Sequence, residues 1–103
     1  MANNIEFAYG RVSSDDQNEA RQLEKFRELG VDERHIFIDK KSGKDFDREQ
    51  YKAMKAMLRE GDLVYVSSLD RLGRNYKEMG EEWKILTEEK KVDVVVLDMP
   101  ILD

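Results

Sequence analysis

The chain has no cysteine, one histidine and one proline in 103 residues. Without cysteine it can build neither a disulfide framework nor a thiolate metal site. The single histidine, His35, has no imidazole or thiolate companion to share a metal with, opens a strand-like stretch, and is read as structural. No apolar run approaches the roughly 20 residues of a membrane-spanning helix. The opening MANNIEFAYGR lacks a basic stretch followed by a long apolar region, so it does not read as a signal peptide. The expected location is therefore cytoplasmic, with no membrane partner. A basic surplus is missing too: 18 Lys and Arg stand against 23 Asp and Glu, a net charge of −5. Nucleic-acid binding normally leaves a basic footprint, so any affinity for DNA must come from a local arginine cluster and from parts outside this stretch of sequence.

What is present suits one domain. Apolar residues make up 40% and charged residues another 40%, and the two interleave, as on solvated helix faces rather than in a disordered tail. Ile5 to Tyr9 begins an apolar run that ends at Gly10-Arg11-Val12, and Ser13 to Asp16 supplies possible N-caps. Ala20, Leu23, Phe26 and Leu29 recur at helical spacing, with Gly30 where a left-handed C-terminal cap is expected. His35 to Ile38 reads as a second strand, followed by a polar loop from Asp39 to Phe46. Asp47 with Gln50 resembles a capping box for a helix that packs through Tyr51, Met54 and either Met57 or Leu58. Asp62 to Ser68 is the third strand. The polar segment Asp70 to Asn75 leads into a third helix with Met79, Trp83 and Leu86 as its buried stripe. Val92 to Leu97, nearly all β-branched, reads as a strand buried on both faces.

This alternation predicts an α/β domain of three layers: a mostly parallel sheet with helices on both faces, leaving room for a short antiparallel edge strand at the C-terminus. In such sheets chemistry sits beyond the carboxyl ends of the strands. Arg11 to Gln17, Gly43 to Arg48 and Asp70 to Arg74 all fall there. Taken singly, Arg11, Arg48, Arg71 and Arg74 read as solvated charges. Four of them on one sheet edge beside a serine suit a phosphodiester, because a guanidinium forks onto two phosphate oxygens and stabilises charge growing under attack. Such a site needs no metal. Gly43-Lys44 is not a phosphate-cradling P-loop, since Asp45 stands where Ser or Thr is required.

Three motifs carry a resemblance. YGRVSSDDQ from Tyr9 to Gln17, Asp39 to Gly43 followed by Asp47-Arg48-Glu49, and LDRLGR from Leu69 to Arg74 occur in order across nearly the whole chain. Together they resemble the N-terminal catalytic domain of the serine site-specific recombinases, the resolvase/invertase family. The resemblance implies a resolvase-like fold over residues 1–103 and no cofactor. It implies Ser13 as nucleophile, Arg11, Arg48, Arg71 and Arg74 as phosphate-binding and transition-state residues, Asp70 as an active-site carboxylate, and Gln17 and Gln22 near the phosphate. Asp70 could equally cap the third helix or pair with an arginine. Ser14 stands where threonine is common, and Gly10 replaces a more usual alanine, expected to loosen the turn slightly. The implied reaction is DNA cleavage and rejoining through a 5′-phosphoserine, acting on double-stranded DNA at a specific site. The implied assembly is a dimer or tetramer of the full-length parent. Family members continue into a dimerising helix and a DNA-binding domain, so the chain as it stands is expected to fold but not to recombine. Two alternatives are a receiver-like phosphoacceptor domain, using Asp15, Asp16 and Asp70, and a catalytically idle interaction module.

Overall fold

The computed structural model describes residues 4–13, 18–41, 48–73 and 75–97. Four strands, β1 (Glu6–Ser13), β2 (Ile36–Lys41), β3 (Leu63–Val66) and β4 (Asp93–Val96), form one sheet in the order β2-β1-β3-β4, and every pairing is parallel. The antiparallel edge strand allowed for at the C-terminus would fall beyond Leu97, outside the described residues. Three helices connect the strands: α1 (Asn18–Glu28), α2 (Glu49–Met57) and α3 (Tyr76–Lys84), the last continuing as a wider turn over Ile85–Glu89. Among the described residues no helix is long and apolar enough to cross a membrane.

β1 is central, and Phe7, Ala8 and Tyr9 are buried in succession, as expected of a strand covered on both faces. Phe7 and Tyr9 point into the larger core, with Val64 and Val66 of β3, Tyr51, Met54 and Leu58 at α2, and Leu86 beyond α3. Ala8 faces the other way, onto Phe26 of α1 and Val31. One face therefore carries α2 and α3 and the other carries α1.

Several local expectations change in three dimensions. In α1 the buried positions are Gln22 and Phe26, four residues apart, while Ala20 is exposed. Gly30 does end this helix with a left-handed backbone (φ +93°), and the bonds from Gly30 N–H to Arg27 O and from Val31 N–H to Phe26 O complete a Schellman motif. β2 begins one residue later than expected and takes in Asp39–Lys41, read from sequence as loop, because their backbone pairs with Arg11–Ser13 of β1. The buried third member of the α2 stripe is Leu58; Met57 is 47% exposed. Trp83 is not a core residue. It is 39% exposed and borders a surface hollow with Tyr76, Met79 and Val96. β4 is likewise not buried on both faces: it is an edge strand with both ends exposed. His35 packs its ring on Phe7, centroids 5.1 Å apart, which suits a structural role.

Candidate active site

The order β2-β1-β3-β4 reverses direction at β1, which makes the carboxyl edge between β1 and β3 the switch point where α/β sheets place ligands. Ser13 is the last residue of β1, and Arg11 stands two residues before it. Beyond β3 the chain makes a tight turn over Leu69–Leu72, which contains Asp70 and Arg71. Arg48 arrives from the opposite side of β1, as the N-cap residue of α2. Arg74 and Gln17 lie outside the described residues, as do the side chains of Ser13 and Asp70.

Arg48 is buried although it carries a permanent charge. Its backbone is left-handed (φ 54°, ψ 39°), a conformation that costs a non-glycine residue about 1–2 kcal/mol. Its side chain is 8% exposed. The guanidinium lies 3.9 Å above the Tyr51 ring and 5.7 Å from the Tyr9 centroid. Its Nη2 donates to the Arg71 carbonyl at 2.9 Å, and Nη1 stands 3.7 Å from Glu78 Oε1. Arg48 and the Arg71 turn are thus brought into contact. Arg11 reaches the same edge from β1, in register with Asp39 of β2.

Asp39 holds this geometry. One carboxylate oxygen accepts from Gln50 N–H at 2.9 Å, and the other accepts from Tyr51 N–H at 3.1 Å and the Tyr9 hydroxyl at 2.7 Å. The expected capping box pairs Asp47 with Gln50 at the start of this helix. The Gln50 N–H that it would have used goes to an acid on β2, while Asp47 lies outside the described residues. α3 is capped by Asn75, whose side chain accepts from Glu78 N–H at 2.8 Å, so Asp70 is not its cap. Burial, reinforced by the bond to Asp39, pushes the Tyr9 hydroxyl well above the ordinary phenol range. Burial and then Glu82 do the same to Tyr51, whose hydroxyl donates to Glu82 Oε1 at 2.6 Å. Both phenols stay protonated and donate.

Gln22 is wholly buried, and its Nε2 donates to the Arg11 carbonyl at 3.4 Å. Gly10, expected to loosen a turn, sits inside β1. It makes room for Gln22, because a Cβ there would overlap Gln22 Oε1. Sequence reasoning gave Tyr9 and Asp39 no role, and it did not place Tyr51, Glu78 or Glu82 near the site. The available signal was an acid placed directly after an apolar strand and opening the second motif.

An α/β domain with arginines gathered at the carboxyl edge of a parallel sheet is thus the class on view. Residues 7–103 match the family described as "Resolvase, N terminal domain", and the chain belongs to that family. It is 49% identical over 71 residues to the transposon Tn501 resolvase of Pseudomonas aeruginosa, covering 69% of this chain and 36% of that protein. To the transposon Tn3 resolvase of Escherichia coli it is 40% identical over 73 residues, 71% of this chain and 40% of the relative. The Tn21 resolvase of Escherichia coli is 45% identical over 80 residues, with 78% and 40% covered. The chain spans about two fifths or less of the length of these relatives.

Proposed function

We propose that this chain is the catalytic domain of a serine recombinase, which cleaves and rejoins double-stranded DNA at a specific recombination site. In this reading Ser13 Oγ attacks a backbone phosphorus, the P–O3′ bond breaks, and the 3′ oxygen leaves as a hydroxyl once it takes up a proton. The phosphate, now esterified to Ser13 at the DNA 5′ end, keeps a bond of similar energy. A 3′ hydroxyl from another strand can then reverse the step and free the serine. The observation that carries the proposal is Arg48, a cation held in a strained backbone, nearly buried, and stacked on an aromatic ring beside the strand that ends at Ser13. Fixed donors aimed at a developing charge lower a barrier without reorganisation. The chemistry needs phosphate-oxygen donors and no metal or other cofactor. Arg11, Arg71 and Arg74 complete the donor set, with Asp70, Gln17 and Gln22 in support. Exchange of strands between two duplexes requires more than one copy, so we propose that the protein acts as a dimer or tetramer. The expected compartment is the cytoplasm, where the DNA lies.

The test uses a chimaera in which this chain replaces the matching part of the Tn501 resolvase, assayed for cleavage of that protein's own site in EDTA. Arg71→Lys keeps the charge but cannot fork onto phosphate. It should slow cleavage by roughly 10²–10³, the usual cost of one transition-state donor. An unchanged rate in the lysine variant, or a requirement for Mg²⁺, contradicts the proposal.

A further inference from the structure

We propose that Glu82, acting through Tyr51, is a positioning residue that holds the Arg48 guanidinium in place for phosphate. The inference rests on the recombinase reading above, because it presumes that Arg48 meets phosphate. Tyr51 is gripped at three points: Asp39 accepts from its N–H, the Tyr9 ring packs against it at 62° with centroids 5.0 Å apart, and Glu82 accepts from its hydroxyl in a 2.6 Å hydrogen bond. The same Glu82 oxygen receives Lys55 Nζ at 2.9 Å, so the carboxylate keeps a counter-charge although it is only 15% exposed.

Two consequences follow for Arg48. The far end of the Tyr51 ring is tethered by a residue on a different helix, which restrains the swing of the ring on which the guanidinium lies. A phenol that donates to a carboxylate is also richer in electron density, which strengthens the attraction of its face for a cation. Glu78, one helical turn before Glu82, approaches the guanidinium directly. The face of α3 that carries Glu78 and Glu82 therefore holds Arg48 from the side and from below, leaving its position set before any substrate arrives. A merely structural reading would have Tyr51, Glu82 and Lys55 only clamp α2 to α3.

Arginine side-chain NMR on this chain separates the two. The Arg48 Nε–H signal is assigned by its loss in Arg48→Lys, and the exposed Arg34 serves as reference. In the unmodified protein Arg48 protons should show an upfield ring-current shift and slow Nε–H exchange. In Tyr51→Phe, which keeps the ring and its packing, exchange should quicken about tenfold as the ring loses its tether. Glu82→Ala should do the same, and Glu82→Gln, which can still accept from the hydroxyl, should restore the slow exchange. Melting temperatures are recorded alongside; if Glu82→Ala fails to fold, Tyr51→Phe and Glu82→Gln carry the comparison. Unchanged Arg48 shift and exchange in Tyr51→Phe overturn the positioning role, with the recombinase reading intact. Inorganic phosphate is then titrated, and it should perturb the Arg48 signal more strongly in the unmodified protein than in Tyr51→Phe. If Arg48 is ordered through Glu82 yet phosphate perturbs it in neither protein, the reading of Arg48 as a phosphate ligand fails and the positioning role falls with it.

Discussion

Replacing Asp39 by alanine removes the acceptor for three donors at once: the Tyr9 hydroxyl and the first free N–H groups of α2 at Gln50 and Tyr51. Loss of a helix cap costs about 1 kcal/mol. A buried hydroxyl stripped of its partner costs about 1–3 kcal/mol more, and Tyr9 has no measurable exposure. Together these give about 2–4 kcal/mol, a large part of the roughly 5–15 kcal/mol that stabilises an ordinary domain. In a domain of this size that lowers the melting temperature by roughly 10–25 °C. Urea denaturation followed by circular dichroism measures it directly. Asp39→Asn keeps one acceptor and should lose about half as much. The coupling is testable as well: Tyr9→Phe should destabilise the native background but do little once Asp39 is gone, because the donor it deletes is already unpaired. A loss below about 1 kcal/mol for Asp39→Ala, or equal costs of Tyr9→Phe in both backgrounds, would refute the hub assigned to Asp39.

Two further outcomes follow from the same geometry. Gly10→Ala forces a methyl group into Gln22 Oε1 and should cost about 1–3 kcal/mol as an overpacked site. Gln22→Ala in that background should recover most of the loss in the same urea melts, and failure to recover it would place the strain elsewhere. Tyr9 and Tyr51 have hydroxyl pKa values raised above the ordinary 10.0. Their contribution is complete below about pH 10 and is lost as pH rises past it, since only the unfolded phenols can then ionise. Melts at about pH 8 and about pH 11 should show a fall that Tyr51→Phe reduces; an identical fall in that variant would remove Tyr51 from the account.

The layout of the domain was legible because its strands are short apolar runs and Gly30 marks a helix end. The parallel sheet follows from the alternation of strand and helix, and the three motifs fall at the strand ends that such a sheet makes functional. What failed to show depended on partners far along the chain. Asp39–Lys41 looks like loop because its residues are polar, and it becomes strand only by pairing with Arg11–Ser13. Gln22 was singled out only through the family resemblance, as a residue near the phosphate; its burial depends on a glycine on the neighbouring strand that opens a space for its amide. Helical spacing placed Trp83 in the core and a β-branched run placed Val96 there, but β4 is the sheet edge, and the described chain leaves their side of it partly open. Arg48 was found by its place near a strand end and by motif. Its left-handed backbone and its seat on Tyr51 have no signature in composition or spacing.

The most direct test of the central claim is to find the atom that joins protein to DNA. The chimaera with the Tn501 resolvase is given a nicked recombination site that traps the cleaved state, in EDTA, and is then digested with trypsin. Mass spectrometry of the peptide from Val12 to Arg21, which contains both Ser13 and Ser14, locates the attachment. The account predicts a 5′-phosphate of DNA on Ser13, absent in Ser13→Ala and kept in Ser14→Ala. An adduct on Ser14, or one that survives Ser13→Ala, would contradict it.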